Sequence, residues 1–169
     1  GVQPQSDFDS LTPARAGQVM STLYGGRTEV RLRKQITECQ LYDFTSMYPT
    51  QIALQGLWWL MIAQGLIETD ATDWARLFVE QIRLEDMQRP ENWALLNTLV
   101  RVHPNGDVLP VRMTYEAKLD EDQNPVANPT IGLNLLRTDF GVWYTLADVI
   151  ASKLFTGRAP RIQIGRAHV

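Results

Sequence analysis

The chain has 169 residues, 44% hydrophobic and 21% charged, with a formal net charge of −3. This is ordinary globular material, long enough for one sizeable core, and its global charge argues neither for nor against a nucleic-acid partner. One cysteine, Cys39, excludes an internal disulfide and a thiolate zinc site and reads as a small core residue. No basic region followed by an apolar run opens the chain, and the longest apolar stretch, Leu57 to Ala63, is too short to span a membrane. The expectation is therefore a cytoplasmic chain with no membrane partner, acting at a nucleoid or at a virus or plasmid replication site if it handles DNA.

Residues 1–20 are rich in Gln, Ser, Pro and Ala and predict a linker leaving an earlier domain. The segment that follows is basic, with Arg27, Arg31, Arg33 and Lys34 against Glu29. The alternation of Thr28 to Arg33 predicts a strand with Arg27, Glu29, Arg31 and Arg33 on one face. Beside the Gly25-Gly26 turn, such a face suits a phosphate track as well as it suits plain solvation.

Gln40, Leu41 and Tyr42 predict the end of a buried strand, and Asp43 follows at once. A Ser46-Met47-Tyr48-Pro49 turn then opens onto a helix beginning near Gln51, with Pro49 suited to a first helical turn. A carboxylate facing backbone N–H groups at such a turn can hold Mg²⁺ beside phosphates. On spacing alone, Asp43 reads more simply as a helix cap or turn former, and Tyr48 as a core aromatic.

The run Asp43-Phe44-Thr45-Ser46-Met47-Tyr48-Pro49 resembles motif A of the family B DNA polymerases, D-x-x-S-L-Y-P, with Met47 in place of Leu. Upstream, Leu23-Tyr24-Gly25-Gly26-Arg27 resembles that family's Y-x-G-G element, with Leu23 where the first tyrosine stands. The resemblance is sharp over residues 23–50. It implies a DNA-directed DNA polymerase that transfers dNTPs to a primer 3′-OH with two Mg²⁺ ions stabilising the attacking and leaving oxygens. It also implies roles. Asp43 would hold metal through its carboxylate and Phe44 through its backbone carbonyl. Backbone N–H groups at Thr45, Ser46 and Met47 would cradle the triphosphate, and Tyr48 would be the steric gate against a ribose 2′-OH. Tyr24, Gly25, Gly26, Arg27 and Arg31 would contact the DNA primer-template. The priming partner, a terminal protein among the options, stays open. The alternative is a non-catalytic nucleotide- or nucleic-acid-binding α+β domain in which Asp43 caps a helix; the chain has neither G-x-x-x-x-G-K-[ST] nor G-x-G-x-x-G.

Leu57 to Ile62 is apolar all round and predicts a buried helix. A helix over 73–84 with Trp74, Leu77, Phe78 and Ile82 as its buried stripe follows caps at 69–72, and Pro90 opens a short helix through Leu96. Leu99 to Val102 and Val108 to Met113 predict a hairpin across Pro104-Asn105-Gly106-Asp107, with Pro110 pushing its strand to an edge. Over residues 66–125, twelve acidic residues face six basic ones, a poor DNA-facing surface. Lys118 to Asn128 predicts an exposed loop, Thr130 to Leu135 a strand, and Val142 to Phe155 an amphipathic helix stopped by Gly157. Asp148 reads as an exposed mid-helix residue, while Lys153, Arg158 and Arg161 are further candidates for approaching DNA or a triphosphate.

Residues 164–169 match one frame of a common sequencing-library adapter, ATC GGA AGA GCA CAC GTC, so they are expected to be artefactual and the chain to be broken off near Gln163. The fold expected is α+β: an incomplete polymerase palm sheet over 21–163 with flanking helices and a peripheral helical and hairpin insertion around 57–128. A second acidic motif would lie beyond the break, so the chain alone is expected to be inactive and poorly soluble.

Overall fold

The computed structural model describes residues 12–24, 32–62, 67–119 and 121–168. Helix α1 (Pro13–Thr22) forms where the composition predicts linker, because Thr12 caps it by accepting from the Arg15 N–H and Pro13 sits in its first turn. An extended segment, 32–44, leads to α2 (Met47–Leu54) and α3 (Leu57–Ile62). The short strand β1 (Glu68–Asp70) precedes α4 (Thr72–Gln81), and a 3₁₀ turn (Leu84–Gln88) precedes α5 (Pro90–Trp93), which runs into the 3₁₀ turn Ala94–Leu96. Then come β2 (Thr98–Val102), β3 (Asn105–Leu119), β4 (Pro125–Arg137), β5 (Val142–Thr145), α6 (Leu146–Thr156) and β6 (Ile162–His168).

The architecture is α+β. Among the described residues, one antiparallel sheet has the order β1-β6-β2-β5, and β3 and β4 form a separate antiparallel ribbon. The core is built from Ala75, Val79 and Ile82 of the α4 region, Leu96, Val100, Val102, Leu109, Tyr144, Ile162, and Leu146, Val149 and Ile150 of α6. Most of these residues fall within or just after the block expected to be peripheral. Burying them supplies the main drive for folding, at about 1.5–3 kcal/mol for each large side chain.

The hairpin expected between 99–102 and 108–113 does not form. Strand β2 is central, with Val100 opposite Tyr144 on one side and Gly165 on the other. Neighbours on both sides give the backbone groups along both of its edges hydrogen-bond partners. The Asn-Gly signal is still used, with Gly106 at φ +77, but it turns the chain out of the sheet and into the ribbon. There Pro110 pairs with Leu133 in a two-stranded ribbon whose strands are both edges, as proline requires. The loop expected over 118–128 is largely drawn into the ribbon, whose described turn covers 121–124.

Helix α4 shows a rotated face. Ala75 and Val79 are fully buried beside Ile82, while Trp74 and Leu77 stay substantially exposed and Trp74 stacks on Phe78 at 5.1 Å. The helix packs against β6, and Arg76 donates to the carbonyls of Ile162 and Gln163 at 2.9 and 3.1 Å. The expectation that Leu57 to Ile62 is buried is corrected as well: the helix forms, but Trp58 and Ile62 are exposed. An apolar run needs a second layer to be buried, and none of the described residues covers those two side chains.

Residues 164–168, matched above to an adapter frame, occupy β6. Gly165 packs on the backbone of Ala71, and Arg166 forms ion pairs with Glu68 at 3.2 Å and Asp70 at 3.2 Å. Helix α6 ends at Gly157, whose φ of +72 is the left-handed stop its sequence position predicts.

Candidate functional site

The segment carrying Asp43 is extended, but it is not a strand. Residues 35–44 have no strand assignment, and among the described residues none pairs with them; Leu41 is 98% exposed and Tyr42 also lies open. The buried strand expected at Gln40 to Tyr42 is therefore corrected, because strand structure requires a hydrogen-bonding neighbour. Cys39 is exposed too, rather than a core residue. The Tyr42 phenol donates to the Gln40 side-chain carbonyl, a local contact across exposed chain.

The helix expected to begin near Gln51 forms but starts earlier, so that Met47, Tyr48 and Pro49 belong to its first turn. Ser46 sits in the left-handed region, at φ 55 and ψ 39, and α2 starts at Met47, with Pro49 in its first turn. The Thr50 N–H donates to the Ser46 carbonyl at 3.0 Å. No side chain caps α2, so the backbone N–H groups of its first residues remain available to an acceptor. This bears on Asp43, which does not cap the helix: the N-cap is Ser46, and among the described residues Asp43 takes part in no hydrogen bond or ion pair.

Phe44, Thr45, Met47, Thr50 and Gln51 line an open depression of about 220 Å³ on this turn. Phe44 and Tyr48 project as exposed aromatic rings, with Tyr48 70% accessible. With Leu32, Ile36, Leu41 and Met47 they make an apolar surface along residues 32–48. Among the described residues, no group of three or more His, Cys, Asp or Glu side chains converges as a metal site. Asp43 alone suits the kind of Mg²⁺ site that uses one or two carboxylates together with substrate phosphates. A two-ion site needs a second carboxylate, which these residues do not bring to it.

Of the other sequence-predicted residues, Gly25, Gly26, Arg27 and Arg31 lie outside the described residues. Tyr24 is half-buried: its ring stacks on Tyr144, and the Arg112 guanidinium lies 4.8 Å above its centroid. Arg112 also donates to the carbonyls of Met20, at 3.2 Å, and Leu23. Burial pushes both the Tyr24 and the Tyr144 phenols above their ordinary value. Lys153 donates to the Ile82 carbonyl, and Arg158 is held by Asp107 at 3.0 Å and by the Asn105 carbonyl at 2.9 Å. Arg161, exposed, lines a cavity of about 290 Å³ together with His103 and Arg158.

Asp148 is not the exposed mid-helix residue expected. It occupies the third position of α6 and completes a capping box, accepting from the Thr145 hydroxyl at 2.7 Å and the Thr145 N–H at 3.3 Å. Burial raises its carboxyl above the ordinary range in spite of those bonds. The Thr145-x-x-Asp148 spacing carried that signal, which was hidden by starting the helix at Val142 rather than Leu146.

No family model, no curated protein and no solved structure matches this chain. Among the described residues, no helix is long and apolar enough to cross a membrane.

Proposed function

We propose that this chain carries the nucleotide-binding turn of a DNA-directed DNA polymerase of the family B type, transferring dNTPs to a primer on a DNA template. One observation carries the reading: Asp43, without a partner among the described residues, stands three residues before the left-handed Ser46 that turns the chain into a helix with no side-chain cap. A carboxylate followed three residues later by a helix start without a side-chain cap is the order of groups that a metal-bound triphosphate calls for. In this reading Asp43 and the Phe44 carbonyl hold Mg²⁺, and the N–H groups at Thr45, Ser46 and Met47 receive phosphate oxygens. The exposed Tyr48 ring forms the wall under the sugar, while Tyr24 to Arg27 and Arg31 border the DNA. Mg²⁺ would supply charge neutralisation at the transferring phosphoryl group.

Binding of dTTP in Mg²⁺ to the chain and to Asp43→Ala tests the site. The expected result is at least about tenfold weaker binding by the variant, since a charged ligand group is lost. Equal binding would remove Asp43 from the site. Reading the gene past Gln163 tests the catalytic half. A second acidic motif and an Asn-Ser-x-Tyr-Gly helix would supply the partner carboxylate and a triphosphate-facing helix. A frame that closes without them leaves a nucleotide-binding domain without catalysis. Primer extension by the 169-residue chain alone would overturn the two-carboxylate account.

A further inference from the structure

A second cavity, of about 220 Å³, lies between α6 and the β3–β4 ribbon, remote in sequence from the Asp43 turn. Its walls are apolar, from Val108 and Pro110 on β3, Leu133 on β4 and Phe155 on α6, with Tyr24 also contributing. Two polar groups of α6 interrupt them. Asp148 and Ser152 both line the cavity, and their spacing of four places them one turn apart on the same helix face.

Ser152 is 1% exposed, and its hydroxyl is without a hydrogen-bond partner. A buried hydroxyl left unpaired is rare in folded proteins, because nothing compensates its lost hydration. Asp148 has one carboxylate oxygen engaged by Thr145, and among the described residues no cation pairs with it. The raised proton affinity of this carboxyl, caused first by burial, reflects the same lack of compensation. Thus a carboxylate without a counter-ion among the described residues and a hydroxyl without a partner share a recess whose remaining lining, the Tyr24 phenol apart, is apolar.

We propose that this cavity binds a small primary amine, its ammonium donating to Asp148 and to Ser152 Oγ and its hydrocarbon or aryl body packing on Pro110, Leu133 and Phe155. An ammonium has several donors, which serves both oxygens at once, and it supplies the missing positive charge. A neutral hydrocarbon would leave both groups unsatisfied, and a carboxylate would meet Asp148 with like charge. The volume suits a ligand of fragment size rather than a nucleotide.

Ligand-observed saturation-transfer NMR on the 169-residue chain tests this, with benzylamine as the probe and toluene and benzoate as comparators. Benzylamine is expected to bind at least about tenfold more tightly than either. Asp148→Asn keeps an oxygen for the Thr145 cap but loses the charge, and should weaken benzylamine at least about tenfold. Ser152→Ala should weaken it by about three- to tenfold without lowering the melting temperature, since the hydroxyl makes no bond in the free protein. Ala151→Phe should fill the recess and abolish binding; if overpacking prevents its folding, the other two variants still decide the matter. Toluene binding as tightly as benzylamine, wild-type affinity in both Asp148→Asn and Ser152→Ala, or no binding by the wild type with only water meeting Ser152, would each overturn the proposal.

Discussion

The ring of Tyr24 lies nearly parallel to that of Tyr144, with centroids 5.6 Å apart and planes inclined by 7°. Tyr144 is in turn buried and donates its phenol hydrogen to the Pro110 carbonyl at 3.0 Å. The residue immediately before Gly25-Gly26 is thereby tied to the main core, with Arg112 closing the other face of its ring.

Tyr24→Ala should therefore destabilise the fold by about 2–3 kcal/mol, through lost burial, stacking and the cation–π contact. Urea unfolding of the variant measures this. A loss under about 0.5 kcal/mol, typical of an open surface substitution, would mean that Tyr24 is not anchored as described.

The Asp107 carboxylate, in a residue only 3% exposed, accepts from the Asn105 N–H at 2.8 Å and from Arg158 at 3.0 Å. Arg158 itself is more than half exposed, so solvent screens the pair. Arg158→Ala should cost about 1–2 kcal/mol, less than breaking a fully buried pair but more than an open surface bridge. The double variant with Asp107→Asn should recover part of that loss, because it removes the uncompensated charge. A double-mutant cycle with no coupling would show that the guanidinium does not serve Asp107.

Gly165 sits where an added Cβ would come within 2.9 Å of the Ala71 carbonyl oxygen. Gly165→Ala should thus shift β6 away from the start of α4, at a cost of about 1–3 kcal/mol. A chain ending at Gln163 should lose more. Strand β1 would lose its partner, β2 would lose its pairing with β6 at Thr98 to Arg101, and Glu68 and Asp70 would lose Arg166. Circular-dichroism melting of both proteins reads this directly. A truncated chain that melts like the full one would show that 164–169 contribute nothing to the fold, as an adapter-derived tail would.

The Asp148 carboxyl, with a folded pKa raised above its unfolded value of 3.8, is protonated more readily in the folded state. Its contribution to stability is greatest below that unfolded value and declines as pH rises through the folded one. Asp148→Asn removes the ionisation and retains the cap, so it should raise the melting temperature at pH 7 relative to the wild type. The gain should shrink toward pH 3, where both side chains are neutral. Parallel melts at the two pH values check the sign, and an equal effect at both would assign the change to packing.

Tyr48 is exposed at the start of α2, with no contact that a smaller side chain would break in the core. In an active polymerase that contains this chain, Tyr48→Ala should admit ribonucleotides more readily while leaving the fold intact, measured as the ratio of rNTP to dNTP incorporation. Unchanged discrimination would remove Tyr48 as the gate.

The sequence alone was enough for the features that local chemistry decides. The Ser46 turn into a helix with Pro49 in its first turn, the α5 start at Pro90, the apolar side of α6 and its Gly157 stop all follow from capping, proline geometry and helical period. Tertiary structure decided what depends on a partner far along the chain. Which face of α4 is buried turned on its packing against β6 and α6, which puts the smaller Ala75 and Val79 inside, a choice that a scale favouring Trp74 and Leu77 cannot register. Strand β2 took β5 and β6 as neighbours rather than the nearer β3, because a central strand needs both edges paired. For the same reason Gln40 to Tyr42, with strand-like residues but no neighbour among the described residues, stayed open to solvent rather than forming a strand.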